Sequence, residues 1–256
     1  MADTTAAMRF EWTKIRTLRS TLWSLAVYFL ISVSFAFLAG HFMRGSYKDM
    51  SAENKADFDP VAAGFHGLRL GMVVLVVFGV LAVSSEYSTG TIRSSLTAVP
   101  RRGVFYGAKL LTGAATALVT SVVVVGVSFF TTQLAMGGPQ SASLSDDGVL
   151  RALAGGVLYT TLICVFSMGL ASVLRSSALT IGILVPLFFM VSAILNSIPG
   201  VQKAAQFLPD VAGGLILQSG RPEGTVLTAW TGMAVLVAWT AASVTAGYLA
   251  MRRRDA

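Results

Sequence analysis

The chain has 256 residues, 54% of them hydrophobic and 12% charged, with a mean hydropathy of +0.71 and a formal net charge of +7. A water-soluble domain carries about 25% charged residues, so this supply cannot coat a surface exposed to water. A soluble globular domain is thereby excluded, and the single cysteine, Cys164, excludes an intrachain disulfide.

The first element is predicted at the N-terminus, over residues 1–20. In MRFEWTKIRTLRSTLW, residues 8–23, the positions Met8, Trp12, Ile15, Leu18 and Leu22 share one side of a helix. Arg9, Lys14 and Arg16 flank that side, and Glu11 stands three residues before Lys14, a spacing that permits an ion pair. The pattern predicts an interfacial helix with its basic side chains toward lipid headgroups. Six long apolar runs follow, about 21–42, 62–84, 110–134, 152–174, 178–198 and 225–250, each of a length that crosses a bilayer. The first run is too long for the apolar core of a signal peptide and reads as a retained helix. Gly67 and Gly71 have the spacing for close helix approach, and Pro186 is placed to kink span five.

Charge between the runs sets the direction. One side carries Arg9, Lys14, Arg16, Arg19, Arg93, Arg101, Arg102, Lys109, Arg175, Arg252, Arg253 and Arg254 against Asp3, Glu11, Glu86 and Asp255. The opposite side holds the other eight acids, from Asp49 to Glu223. Basic residues are retained on the cytoplasmic side, so both termini are expected there. Membrane topology accounts for the positive charge, and no nucleic-acid partner is expected. The fold expected is all-α and integral to the membrane, one transmembrane domain over 1–256 with six transmembrane helices. Between spans five and six, VQKAAQFLPDVAGGLIL (201–217) mixes polar and apolar residues with Pro and paired glycines, and predicts short helices re-entering the bilayer from outside.

The loop between spans two and three, 85–109, is far longer than a plain connection of four to six residues requires. Ser88 or Thr89 is placed to cap a helix beginning near Thr91, with Pro100 ending it. Ile92, Leu96 and Val99 follow i, i+4, i+7, and Gly90 permits a bend at the membrane exit. A short amphipathic helix on the cytoplasmic face follows, then a basic elbow at Arg101-Arg102-Gly103. Such a loop suits a docking partner, whereas Arg93, Arg101 and Arg102 taken singly also serve topology.

The chemistry of an engine is missing from the sequence. No Gly-Lys dipeptide occurs, so a phosphate-binding loop of the G-x-x-x-x-G-K-[ST] type is ruled out. His41 and His66 have no neighbouring acid at ligand spacing, and no metal or cofactor is expected on this chain. No acid lies in the middle of a span, which argues against an ion-coupled carrier.

The strings FEWTKIRTLRSTLW and SEYSTGTIRSSLTAVPRRGVFYGAK resemble the ABC-2 type transporter permeases, particularly small actinobacterial members found beside a separate ATPase. The second string is similar to that family's E-[YF]-x-x-G-T-[IL]-R-x-x-L loop. The resemblance implies that this loop holds a coupling helix seated on an ATP-binding cassette subunit, with Glu86, Tyr87, Thr89, Gly90, Thr91, Ile92, Arg93, Leu96, Arg101 and Arg102 as its coupling residues. On that basis Arg93 is expected to pair with an acid, and Glu86 to anchor the base of span two against an arginine. It also implies two ATPase copies that bind the ATP and Mg, a second permease subunit forming a homodimer, and a route at their interface. Phe29, Phe35, Phe188, Phe189 and Asn196 are the candidates for lining that path. The expected role is export of a hydrophobic or amphiphilic substrate across a bacterial cell membrane, without catalysis by this chain. A non-transporting membrane subunit and an integral membrane enzyme stand as alternatives, separated from it by ATP-dependent flux and by activity of the chain alone.

Overall fold

Apolar runs of this length fold as helices because the bilayer core offers no water to satisfy loose backbone groups. The structure, a computed structural model, describes residues 2–99, 101–221 and 224–253 and is 84% helical, with no strand among those residues. Helix α1 (Ala2–Thr17) is followed after one residue by α2 (Arg19–Asp49), the first span. The short α3 (Ala52–Ala56) and α4 (Pro60–Ala63) lead into the second span, α5 (His66–Ser88). Next come α6 (Ile92–Ala98), the third span α7 (Arg102–Met136) and the fourth span α8 (Val149–Leu174). The fifth span runs through α9 (Ser177–Pro186), a π-helical turn at Leu187–Val191 and α10 (Ser192–Ser197). The short α11 (Gln202–Ala205) and α12 (Pro209–Gly214) precede the sixth span, α13 (Ala229–Arg253).

All six expected spans are present, with shifted ends. The third starts at Arg102 rather than near 110, and the second starts at His66 rather than 62. The second start moves because Asp59 caps a separate turn, its Oδ1 accepting from Val61 N at 2.9 Å and Ala62 N at 3.0 Å. Pro186 removes one backbone donor from span five, and a wider π turn absorbs the mismatch directly after it.

Helices α5, α7 and α8 form the centre; α2 packs on α5 and α7, and α13 packs on α8. Burial separates inner from outer spans: 61% of the membrane-crossing stretch of α5 is enclosed, against 17% of α2. The glycines of α5 set the closest approach. A Cβ on Gly67 would lie 2.3 Å from the Ser32 carbonyl oxygen, so only glycine lets α5 meet α2 at that point.

At the acidic end, the 198–221 segment is tied down by hydrogen bonds from several elements. Asp59 Oδ2 accepts from Ser219 N at 2.8 Å, and Arg151 Nη2 donates to Gln218 O at 2.6 Å. Trp239 Nε1 donates to Phe207 O at 2.8 Å, and Ser192 Oγ donates to Asp210 Oδ1 at 2.9 Å. Asp210 is buried, and that burial, only partly offset by the Ser192 hydrogen bond, raises its pKa from 3.8 to about 6.

Candidate functional site

The connection between spans two and three is shorter than 85–109 and more ordered. Ser85 to Ser88 continue α5, and Arg102 to Lys109 already belong to α7. Between them Gly90 adopts φ +70, the left-handed turn that releases the chain from α5. Helix α6 begins at Ile92 with Thr91 at its cap position, and no side chain caps it. The capping expected from Ser88 or Thr89 does not occur. Thr89 Oγ1 instead donates back to Ser85 O at 2.8 Å and lies 2.9 Å from Thr91 Oγ1. Pro100, expected to end the helix, lies outside the described residues.

The apolar side of α6 follows the expected spacing. Ile92 is buried, and Leu96 and Val99 pack against the same apolar core. Its other side turns outward, with Thr91, Ser94 and Thr97 exposed beside Gly90 and Arg101. The Arg93 side chain lies outside the described residues, so its expected acidic partner does too.

Between α1, the end of α5 and the start of α7 lies a cluster of four charged side chains. Lys109 Nζ donates to both Glu11 carboxylate oxygens at 3.0 Å and to Glu86 Oε1 at 2.8 Å, using all three of its protons. Lys14 Nζ also donates to Glu86 Oε1. Glu11, Glu86 and Lys109 are buried, while Lys14 is 24% exposed. Two carboxylates face two ammonium groups, so the cluster is neutral as a whole. Counting about 1.5 Å per helical residue, Lys109 sits roughly 10 Å inside the start of α7. Its ammonium lies 5.1 Å from the centre of the Phe105 ring.

This arrangement corrects two pairings. Glu86 is anchored by lysines, Lys109 and Lys14, rather than by an arginine. Glu11 and Lys14, three residues apart, do not pair with each other; each reaches across to a different helix. Helix α1 therefore presents the side carrying Ala7, Glu11 and Lys14 to the protein, chiefly to α7. Trp12, Leu18 and Leu22 face outward, at 46%, 42% and 54% exposure.

Arg101 is exposed, whereas Arg102 acts within the fold. Its Nη1 donates to Met251 O at 3.0 Å, and Arg175 Nη2 donates to Ala250 O at 3.2 Å. Both cations thus meet the carbonyl end of α13, where the helix dipole favours positive charge. Arg175 also lies 5.1 Å from the ring centre of Tyr87, which gives that residue a structural contact. Arg175 itself takes φ +55, an uncommon geometry for a side-chain-bearing residue, as it closes α8.

The five path candidates occupy different settings. Phe188 is buried 6.3 Å from the Phe166 ring, and Phe29 and Phe189 pack against the core from its edge. Phe35 and Asn196 are exposed. His66 Nδ1 lies 3.0 Å from Ala63 O, His41 stacks near Phe37, and no metal-ligand cluster occurs among the described residues.

The ion cluster was missed in the sequence because its members come from three helices. A signal was available: Glu86 and Lys109 are charges at the very edges of long apolar runs, where an unpaired ion is costly. No curated protein matches the chain. The family model described as ABC-2 family transporter protein matches residues 7–196, from α1 through the fifth span. With six membrane-length helices and that match over most of its length, the chain belongs to the ABC-2 family of transporter proteins and is a multi-pass membrane permease.

Proposed function

We propose that this permease is driven by a separate ATP-binding cassette subunit that docks on the exposed side of α6. The observation that carries this reading is the ion cluster Glu11–Lys109–Glu86–Lys14, which joins the two helices flanking α6 to α1. It fastens the end of α5 and the start of α7, the two helices that flank α6, to α1. A displacement of α6 is then shared by three helices as a body instead of being lost in a slack loop. The exposed hydroxyls of Thr91, Ser94 and Thr97, with Arg93 and Arg101, are the contacts offered to the ATPase. Glu86, Tyr87, Ile92 and Leu96 hold the helix to the membrane body, Gly90 supplies its turn with Thr89 beside it, and Arg102 steadies the end of α13.

In this reading the basic end is cytoplasmic, both termini lie there, and the membrane is a bacterial cell membrane. ATP and Mg are held by the ATPase, two copies of which serve a permease homodimer. The 198–221 segment re-enters the outer leaflet, with backbone groups at Phe207, Gln218 and Ser219 satisfied by Trp239, Arg151 and Asp59. Apolar walls suit export of a hydrophobic or amphiphilic substrate, which leaves by tilting of the spans and needs no covalent step on this chain. The driving contacts must differ between the two states of the ATPase, since only differential binding shifts an equilibrium.

The test is co-purification of tagged permease with its ATPase, followed by ATPase assays on Arg93→Glu and Gly90→Pro. Both variants are expected to reach the membrane in normal amount and to lose stimulation of ATP hydrolysis. Full stimulation in both would refute the assignment of α6.

A further inference from the structure

A cavity of about 230 Å³ opens beside the ion cluster, between α1, the first turns of α2, the last turns of α5, and α7. Its inner end is charged, with Glu11, Lys14 and Lys109; Leu18 and Leu81 line its exposed side, and the buried Phe78 lies deeper in its wall. Leu18 and Leu81 are 42% and 37% exposed on that side, so the cavity opens laterally toward lipid rather than only toward water. Exposed Trp12 and Trp23 stand at the same end, the level at which tryptophan marks the headgroup boundary.

The polar groups of this cavity are not equally occupied. Lys109 has spent its three protons on carboxylates. Lys14 donates to Glu86 alone among the described residues and is 24% exposed, so its ammonium keeps donor capacity toward the cavity as well as toward the unpartnered Glu86 Oε2. Ser20 and Thr21, also on the wall, make no side-chain hydrogen bond to protein among the described residues. A cation with donor capacity toward the cavity, beside two hydroxyls, suits an acceptor group with more than one oxygen. A phosphate group meets that need. The volume adds a limit. Sites that enclose a whole small ligand run from about 300 Å³ upward, so this cavity takes a headgroup and the first part of a chain, the rest staying in the bilayer.

We infer that the cavity is a binding site for a phosphate-bearing lipid of the adjoining leaflet, its phosphate on Lys14 and its first methylenes against Leu18, Phe78 and Leu81. Lys14 then holds the lipid and Glu86 at once, so the lipid completes the coordination of the one cluster member that faces out. The inference needs the membrane but not the ATPase, and it stands or falls apart from the role of α6.

Native mass spectrometry of the delipidated protein in maltoside detergent tests it, with phosphatidylglycerol and diacylglycerol of the same chains and with inorganic phosphate as probes. Phosphatidylglycerol is expected to bind once per chain and diacylglycerol about tenfold more weakly, the share of a lost charge-assisted hydrogen bond. Lys14→Gln should weaken phosphatidylglycerol about tenfold by the same reasoning, whereas Arg19→Gln, a nearby exposed cation, should leave it unchanged. Ser24→Leu fills the cavity from α2 without touching the ion cluster, and should abolish the single adduct even if Lys14→Gln disturbs folding. Equal binding of diacylglycerol, equal loss in Lys14→Gln and Arg19→Gln, or retention of the adduct in Ser24→Leu would overturn the site. Displacement of the lipid by inorganic phosphate at the lipid's own concentration would make it a free-anion site and overturn the lipid assignment.

Discussion

Replacing Lys109 with Met keeps the length of the side chain and removes its charge from a position that is 3% exposed. Three charge-assisted hydrogen bonds disappear together. The two carboxylates are not left alike: Glu86 retains Lys14, whereas Glu11 keeps no cation within the cluster. Breaking a buried ion pair from one side costs about 3–5 kcal/mol, most of it the burden of the charge left behind. Because Glu11 carries that burden, Glu11→Gln in the same chain should restore most of the loss. The double variant is expected to be about 1–3 kcal/mol more stable than the sum of the singles predicts. Reversible unfolding in mixed detergent micelles, followed by tryptophan fluorescence, measures all four corners of the cycle. Stimulation of the partner ATPase measured on the same four proteins tests the mechanical role, and should fall in Lys109→Met and recover only in part in the double variant. Additivity within about 0.5 kcal/mol would refute the coupling of Glu11 to Lys109 and, with it, the argument that the cluster binds α1 to the flanks of α6.

At the opposite end, Asp210 has a folded pKa of about 6 against 3.8 unfolded, so the folded protein binds the extra proton between those values. Stability therefore falls as pH rises through that window and is level above it, by about 3 kcal/mol at most for two units. Asp210→Asn, which keeps an acceptor for Ser192 Oγ, should flatten this slope in thermal melts and stabilise the protein near neutral pH. A steeper or unchanged slope would contradict the burial argument. Gly67→Ala places a methyl 2.3 Å from the Ser32 backbone oxygen, which cannot swing away, and should cost about 1–3 kcal/mol in detergent unfolding. Unaltered stability would mean that α2 and α5 do not meet so closely. Arg102→Gln removes the donor on Met251 O and is expected to speed hydrogen exchange over the last turn of α13. Unchanged exchange there would refute the hold on the helix end.

Hydropathy alone located all six spans, because a stretch that must leave water and satisfy its own backbone has little choice but a helix of bilayer length. The apolar spacing of Ile92, Leu96 and Val99 likewise announced α6, and Gly90 announced its turn, since both depend on neighbours in the chain. Charge pairing obeyed no such local rule. Glu11 had Lys14 three residues away, but the two separate to reach partners 98 and 72 positions distant. A buried carboxylate gains most from the cation that shares its dry environment, and only packing decides which cation that is. For the same reason α1 was read with its apolar stripe as the informative face, while the tertiary structure turned the side carrying Ala7, Glu11 and Lys14 inward. The sequence by itself determined a six-span permease with a structured loop after the second span. Only the folded arrangement of α1, α5 and α7 decided that the helices flanking this loop are joined by a neutral, largely buried cluster of two lysines and two glutamates.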